Sequence, residues 1–210
     1  MISVGTFPEL SFEEKRHIYK LNGIAIPSVT TIMKPLSEDV YGGIDEKVLN
    51  RAAARGTAVH NAIENYVKFN IEDIPPEHEG YFDAFLLWYK EHNVVPYGTE
   101  VKLYHKGLLY AGTADMIASV DGLDTLIDFK TSASVSQMLC GVQLEAYDRA
   151  MVSHDSGIHI AQKAIVHLQK DGKYQMIPFQ STETECWRVF TALLTVRNYK
   201  QKFKKGGSPR

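Results

Sequence analysis

Residues 111–131 read AGTADMIASVDGLDTLIDFKT, and this stretch decides the fold. Two apolar runs flank Asp121-Gly122. Asp-Gly between such runs is a strong short-range hairpin signal, because both positions accept the positive φ of the tight primed turns. With a two-residue loop, Val120 faces Leu123, and counting back along both arms sets Asp115 opposite Asp128. The Cβ atoms of such a pair lie ~4.5–5.5 Å apart, and like charges there destabilise the sheet. A divalent cation between them reverses that sign. A bulge or a longer loop would shift the pairing by one residue.

Alternate residues of a strand share a face. Asp128 and Lys130 therefore project with Asp115 to one side, and Ile127 and Phe129 pack on the other. Charges inside the apolar run LIDFK are expensive without partners. Two carboxylates and an ammonium on one patch form a candidate metal-dependent hydrolytic centre. The plainer alternative, a solvated sheet face, is common for isolated D-x-K triplets.

Working outward, 210 residues suit one sizeable domain, 1–210, with residues 1–44 as an N-terminal hairpin and entry segment. The 44% hydrophobic and 23% charged composition is that of a soluble globular protein. No apolar run reaches membrane-spanning length. The N-terminal residues show no basic region followed by an apolar segment, so a cytoplasmic protein is expected. The net charge of −2 argues against coating nucleic acid by bulk charge. Only Cys140 and Cys186 are present, which excludes a four-cysteine iron–sulfur cluster and a cysteine-rich zinc site.

Along the chain, RHIYKL and IAIPSV surround Asn22-Gly23, a second hairpin signal. Ser28 is a helix N-cap for the short segment VTTIMKP, which Pro35 is expected to stop, with loop from Ser37 to Gly43. That helix start, with Ser28 and Thr30, also suits a phosphate, although capping alone accounts for it. Asp45–Asn70 and Glu77–Asn93 read as helices. Gly56 interrupts the first at a cost of ~1 kcal/mol relative to Ala, which invites a reason. His60 and Glu64 share a face of it. Pro96-Tyr97-Gly98 reads as a turn before a strand from Thr99 to His105 that contains Glu100. After Lys130 come a helix over Val135–Val152, strands at Ile158–Leu168 and Tyr174–Phe179, and a helix from Thr182 to about Lys204. Gln143 and Tyr147, four apart, face one point. Residues 205–210 read as a flexible basic tail. The order of elements is that of an α/β or α+β layered domain with a central sheet.

Four segments in order carry a resemblance: Arg55-Gly56-Thr57-Ala58-Val59-His60, Ala111-Gly112-Thr113-Ala114-Asp115, Ile127-Asp128-Phe129-Lys130-Thr131, and Gln143-x-x-x-Tyr147. Together they resemble the RecB-like exonuclease branch of the PD-(D/E)XK nuclease superfamily, and Pro27-Ser28-Val29-Thr30 is similar to an entry motif of its phage and mitochondrial genome-maintenance members. The resemblance implies a restriction-endonuclease-like core with a mixed β-sheet flanked by helices. It implies Mg²⁺ or Mn²⁺ held by His60, Asp115, Asp128 and the carbonyl of Phe129, with Glu100 as an additional acid. Asp115, Asp128 and Lys130 would be catalytic. Gln143 and Tyr147 would orient the lysine, the water or the DNA backbone, and Ser28, Thr30, Thr131 and Arg55 would meet substrate. Glu64 fits the His-x-x-x-Glu extension of the first motif.

The implied activity is hydrolysis of DNA from single-stranded ends in recombination, repair or replication. Alternatives are a duplex-end exonuclease acting with a recombinase, and a non-catalytic DNA-binding module of the same fold. A recombinase, helicase or single-strand-binding protein is the kind of partner such an enzyme works beside.

Overall fold

The computed structural model describes residues 7–154, 158–179 and 184–204. The expected basic tail lies outside them. A small sheet comes first, from β1 (Leu10–Glu13), β2 (Ile18–Leu21) and β3 (Ile24–Ile26). Three helices follow: α1 (Val29–Tyr41), α2 (Glu46–Phe69) and α3 (Glu79–Glu91). The main sheet is built from β4 (Val94–Tyr104), β5 (Ala111–Val120), β6 (Leu123–Lys130), β7 (Gln162–Leu168) and β8 (Tyr174–Phe179). Helix α4 (Gln137–Val152) connects β6 to β7, and α5 (Thr184–Lys204) ends the described chain. The strands lie in the order β4-β5-β6-β7-β8, with β6 and β7 parallel and the other pairs antiparallel. This is the mixed central sheet flanked by helices that the sequence led us to expect.

Helices α1, α4 and α5 cover one face, where Ile32, Leu144 and Phe190 share a core with Ile117, Leu126 and Ile165. Helices α2 and α3 cover the other, where Ile63, Phe85 and Trp88 meet Met116, Ile127 and Phe129. Leu126 and Ile127 therefore face opposite cores. By the same alternation, Asp128 and Lys130 belong to the α4 side of β6.

The Asp121-Gly122 turn has φ of 51° and 86°, and Val120 pairs with Leu123 as a two-residue loop requires. Asn22-Gly23 turns the same way, with φ of 48° and 78°, and joins β2 to β3.

Three local expectations need correction. Pro35 lies inside α1, and the segment expected as loop continues the helix to Tyr41. Proline removes one backbone hydrogen bond and crowds the preceding turn. The buried stripe of Val29, Ile32 and Met33, with Leu36 packed against it, offsets that cost. The Pro96–Gly98 turn is instead a register shift within β4, which begins at Val94. β4 is an edge strand, where a missing N–H can face away from the ladder. Finally, β1 pairs with β2 to make the N-terminal hairpin a three-stranded sheet. Only four residues long, LSFE carries too little pattern to be read as a strand.

Among the described residues, no helix is long and apolar enough to cross a membrane.

Candidate active site

The β5–β6 ladder runs from Val120–Leu123 to Met116–Ile127 and stops one pair short of Asp115 and Asp128. The two carboxylates are therefore not a cross-strand pair, which corrects the expected register at its last step. Beyond this point β5 continues on β4, and β6 continues on β7. The sheet forks. The ladder thus ends where two carboxylates would have met, each arm being held by its outer neighbour. In its place, the Phe129 N–H donates to Asp115 Oδ2 at 2.7 Å. The Phe129 ring is buried with its centroid 5.6 Å from those of both Phe85 and Trp88, edge-on. Burying a phenylalanine contributes ~1.5–3 kcal/mol, so this ring anchors the backbone atoms that the site uses.

One side of the fork holds the lysine. Asp128 is buried, and its Oδ2 lies 2.6 Å from Lys130 Nζ, an ion pair whose alignment falls outside hydrogen-bond geometry. Gln143, from α4, joins three groups. Its amide donates to Asp128 Oδ1 and to the Tyr147 hydroxyl, each at 3.1 Å, and its oxygen accepts from Lys130 Nζ at 3.5 Å. Burial alone would lower the lysine pKa, but Asp128 and then Asp115 outweigh it and raise it. Lys130 is thus a fixed positive charge rather than a free-amine base. Tyr147 is held protonated by burial and by Asp128. It packs so close to β5 that a Cβ at Gly112 would lie 2.4 Å from its Cε1.

The other side gathers His60, Glu100 and Asp115, which each offer an atom within 4.8 Å of the others. His60 Nδ1 is 3.5 Å from Asp115 Oδ1 and 3.7 Å from Glu100 Oε1. Its Nε2–H donates to the Phe129 carbonyl at 3.1 Å, which leaves Nδ1 facing the carboxylates. Glu100 reaches them from a left-handed backbone, φ 49°, shortly after the β4 register shift. That conformation is uncommon for a residue with a side chain, and such strain concentrates at functional sites.

Burial alone would lower the His60 pKa, but Asp115, Glu100 and Asp128 together raise it to about 9. Burial raises Asp115 to about 7; Asp128 adds to that rise while His60 opposes it. The cluster therefore retains protons, Asp115 through its burial and His60 through the carboxylates around it. Imidazole and carboxylate oxygens suit Mn²⁺, and the carboxylates also suit Mg²⁺. The donor set fits a divalent cation. Asp128 and the Phe129 carbonyl adjoin this cluster, the first bound to Lys130 and Gln143 and the second to His60.

Other expected residues are spread around the fork. Arg55 lies 5.1 Å from the Tyr81 ring centroid and donates to Thr131 Oγ1 at 3.4 Å. These three residues line a cleft of about 520 Å³. A second cleft, of about 670 Å³, opens over His60, Glu100, Lys130 and Thr131. Ser28 caps α1 by accepting the Thr31 N–H at 3.0 Å, and Thr30 Oγ1 lies 3.0 Å from its hydroxyl. Neither Ser28 nor Thr30 lines either cleft. Glu64 pairs with Lys68 on the helix surface.

The sequence reading missed two sets of residues. Phe12 and His17 line the larger cleft from the small sheet, which depends on the unread β1. Behind α4, the buried Glu145 accepts from Arg149 Nε at 2.7 Å and from Lys163 of β7, and Lys163 Nζ also lies 3.6 Å from Asp148 Oδ2. This network fixes the helix that carries Gln143 and Tyr147.

No family model matches the chain, and no curated protein matches it. Among solved structures it is similar to an alkaline exonuclease. That enzyme, LHK-Exo from Laribacter hongkongensis, shares 11% identity over 73% of this chain and 90% of its own, with a TM-score of 0.45. Its complex with dAMP gives 14% identity over 73% and 91%, with a TM-score of 0.41. SSO0001 gives 14% identity over 85% and 86%, with a TM-score of 0.36. At such values the functional reading rests on the chain's own side chains.

Proposed function

We propose that the chain is a divalent-metal-dependent deoxyribonuclease that removes nucleotides from single-stranded DNA ends. One observation carries this reading: the His60, Glu100 and Asp115 cluster stands across the β5–β6 fork from an Asp128–Lys130 pair, under an open cleft. The alternative of a solvated sheet face does not fit a carboxylate as buried as Asp128. A cation held by His60, Glu100 and Asp115, with Asp128 and the Phe129 carbonyl beside them, would lower the pKa of a water and stabilise charge on phosphoryl oxygens.

The chain's own groups do the rest. Lys130 presents a permanent positive charge to a phosphate at the cleft floor. Gln143 holds both Lys130 and Asp128, and so fixes the distance between the ammonium and the carboxylates. The His60 Nε2–H bond to the Phe129 carbonyl fixes the ring and its tautomer. Arg55 and Thr131 line the smaller cleft, and in this reading they meet the backbone of a bound strand there. We assign the activity to DNA recombination, repair or replication, beside a recombinase, helicase or single-strand-binding protein, as the motif resemblance implies.

The test is cleavage of end-labelled single-stranded and duplex DNA with Mg²⁺, Mn²⁺ or EDTA, with Asp128→Ala and Lys130→Ala alongside. Release of label that requires metal, Asp128 and Lys130 is the expected result. A folded Lys130→Ala protein with normal turnover would refute the assignment, and tight binding without cleavage under any metal would leave a binding module.

A further inference from the structure

The larger cleft has walls that the chemistry above does not use. Its floor is Lys130 and Thr131; one wall is Phe12 and His17 of the small sheet, and the other is the α2 face that carries Ala52 and Gly56.

His17 is exposed, and its backbone is left-handed, with φ 50°. Among residues with side chains, histidine is one of the readier to adopt that conformation. It closes the Glu14–Arg16 turn and sets its ring edge-on to Phe12, with centroids 5.1 Å apart. Phe12 lies tilted on Tyr19, with centroids 4.5 Å apart. The Tyr19 hydroxyl is 2.7 Å from Thr113 Oγ1 on β5, so this aromatic wall is tied to the strand that carries Asp115.

Across the cleft, Gly56 sits in mid-helix. A Cβ there would meet nothing nearer than Thr131 Oγ1, at 3.9 Å. Packing therefore does not require glycine, although glycine weakens a helix interior. Its missing side chain widens the cleft instead.

Resting on the nuclease reading, we infer that Phe12 and His17 form a corner for a base of an unpaired DNA strand, face-on to one ring and edge-on to the other, in a slot whose width depends on Gly56. Glu14 also lines the cleft on the aromatic side, and its carboxylate disfavours phosphate there. The floor carries the Lys130 ammonium. Phosphates are thus directed to the floor and bases to the aromatic wall. Stacking of this kind tolerates any sequence, because every base presents a π-face. The volume falls within the ~300–1,000 Å³ range of ligand clefts.

The experiment compares wild type, the double variant Phe12→Ala/His17→Ala, and Gly56→Leu. Affinity for a fluorescein-labelled oligodeoxythymidylate is read by anisotropy in EDTA and as KM with Mn²⁺; a blunt duplex serves as the second probe. Both variants are expected to lose about 5- to 160-fold for the single strand, the size of one stacked base, and less for the duplex. Gly56→Leu is expected to melt higher than wild type because it strengthens the helix, so its weaker binding cannot be a folding defect. Wild-type affinity in either variant, or an equal loss on the duplex, overturns the inference while leaving the nuclease reading intact. A wild-type protein that neither binds nor cuts DNA overturns both.

Discussion

The Phe129 amide donates to Asp115 Oδ2 at 2.7 Å, taking a side-chain carboxylate as its acceptor at the point where the β5–β6 ladder ends. Asp115→Asn keeps an acceptor oxygen there and removes the charge. Because burial raises the Asp115 pKa to about 7, its ionised form is a burden in the metal-free fold. The variant is expected to lose cleavage, yet to be more stable than wild type at pH 8 in EDTA. Thermal melts beside the end-label assay check both signs.

The pH dependence of the metal-free protein follows from the same groups. The His60 pKa is raised from 6.5 to about 9, so its contribution to stability is complete below 6.5 and is lost as pH rises through 9. For Asp115, raised from 3.8 to about 7, the penalty of ionisation is absent below 3.8 and complete above 7. Both make the protein in EDTA progressively less stable as the pH rises from about 4 to 9. A cation needs both groups deprotonated, so the rise in melting temperature on adding Mn²⁺ should grow over that window. A Mn²⁺ shift that shrinks with increasing pH would contradict the ligand set.

Gln143 touches Asp128, Lys130 and Tyr147, and so acts as a positioning residue. Gln143→Leu leaves Asp128 Oδ1 without that donor and should cost ~1–3 kcal/mol of stability. Cleavage should fall further than binding, on the order of 10- to 100-fold in kcat with little change in KM, an effect comparable to losing a group that orients a metal site. Equal losses in kcat/KM through KM alone would assign Gln143 to substrate binding instead.

A methyl group at Gly112 would lie 2.4 Å from Tyr147 Cε1. Gly112→Ala should therefore cost ~1–3 kcal/mol by overpacking and move Tyr147, which carries Gln143 with it. Combining it with Tyr147→Leu should recover part of the stability, and the double-mutant cycle measures the coupling.

Glu145 is buried between Arg149 and Lys163. Glu145→Ala removes the nearer carboxylate of Lys163, leaves Asp148 3.6 Å away, and should destabilise by ~1–3 kcal/mol. Denaturant melts give the value. Residual activity per folded molecule shows whether α4 still holds Gln143 in place.

How legible these features were in the sequence depends on the range of the forces involved. The β5–β6 hairpin was plain because Asp121-Gly122 is a local signal, and the shared side of Asp128 and Lys130 followed from strand periodicity. The fork was not, since it depends on β4 and β7 holding the two arms apart. Pro35 and Pro96 misled for a common reason: a proline rule is local, whereas the buried stripe of α1 and the edge position of β4 are tertiary facts. Lys163 and Glu145 are 18 residues apart, on different elements, and nothing in the spacing pairs them. Glu100 could be named by resemblance, but its left-handed backbone is visible only in the fold.

The fork also sets a limit on transplanting the motif. A strand pair cut from this sheet would have nothing to splay its arms except the mutual repulsion of two carboxylates, and protonation of one would let them zip together. β4 and β7 act as splints, each pulling one arm aside with its own ladder. The sequence motif is written in the hairpin, but the gap it needs belongs to the neighbouring strands, so a graft of these residues would carry the letters without the aperture.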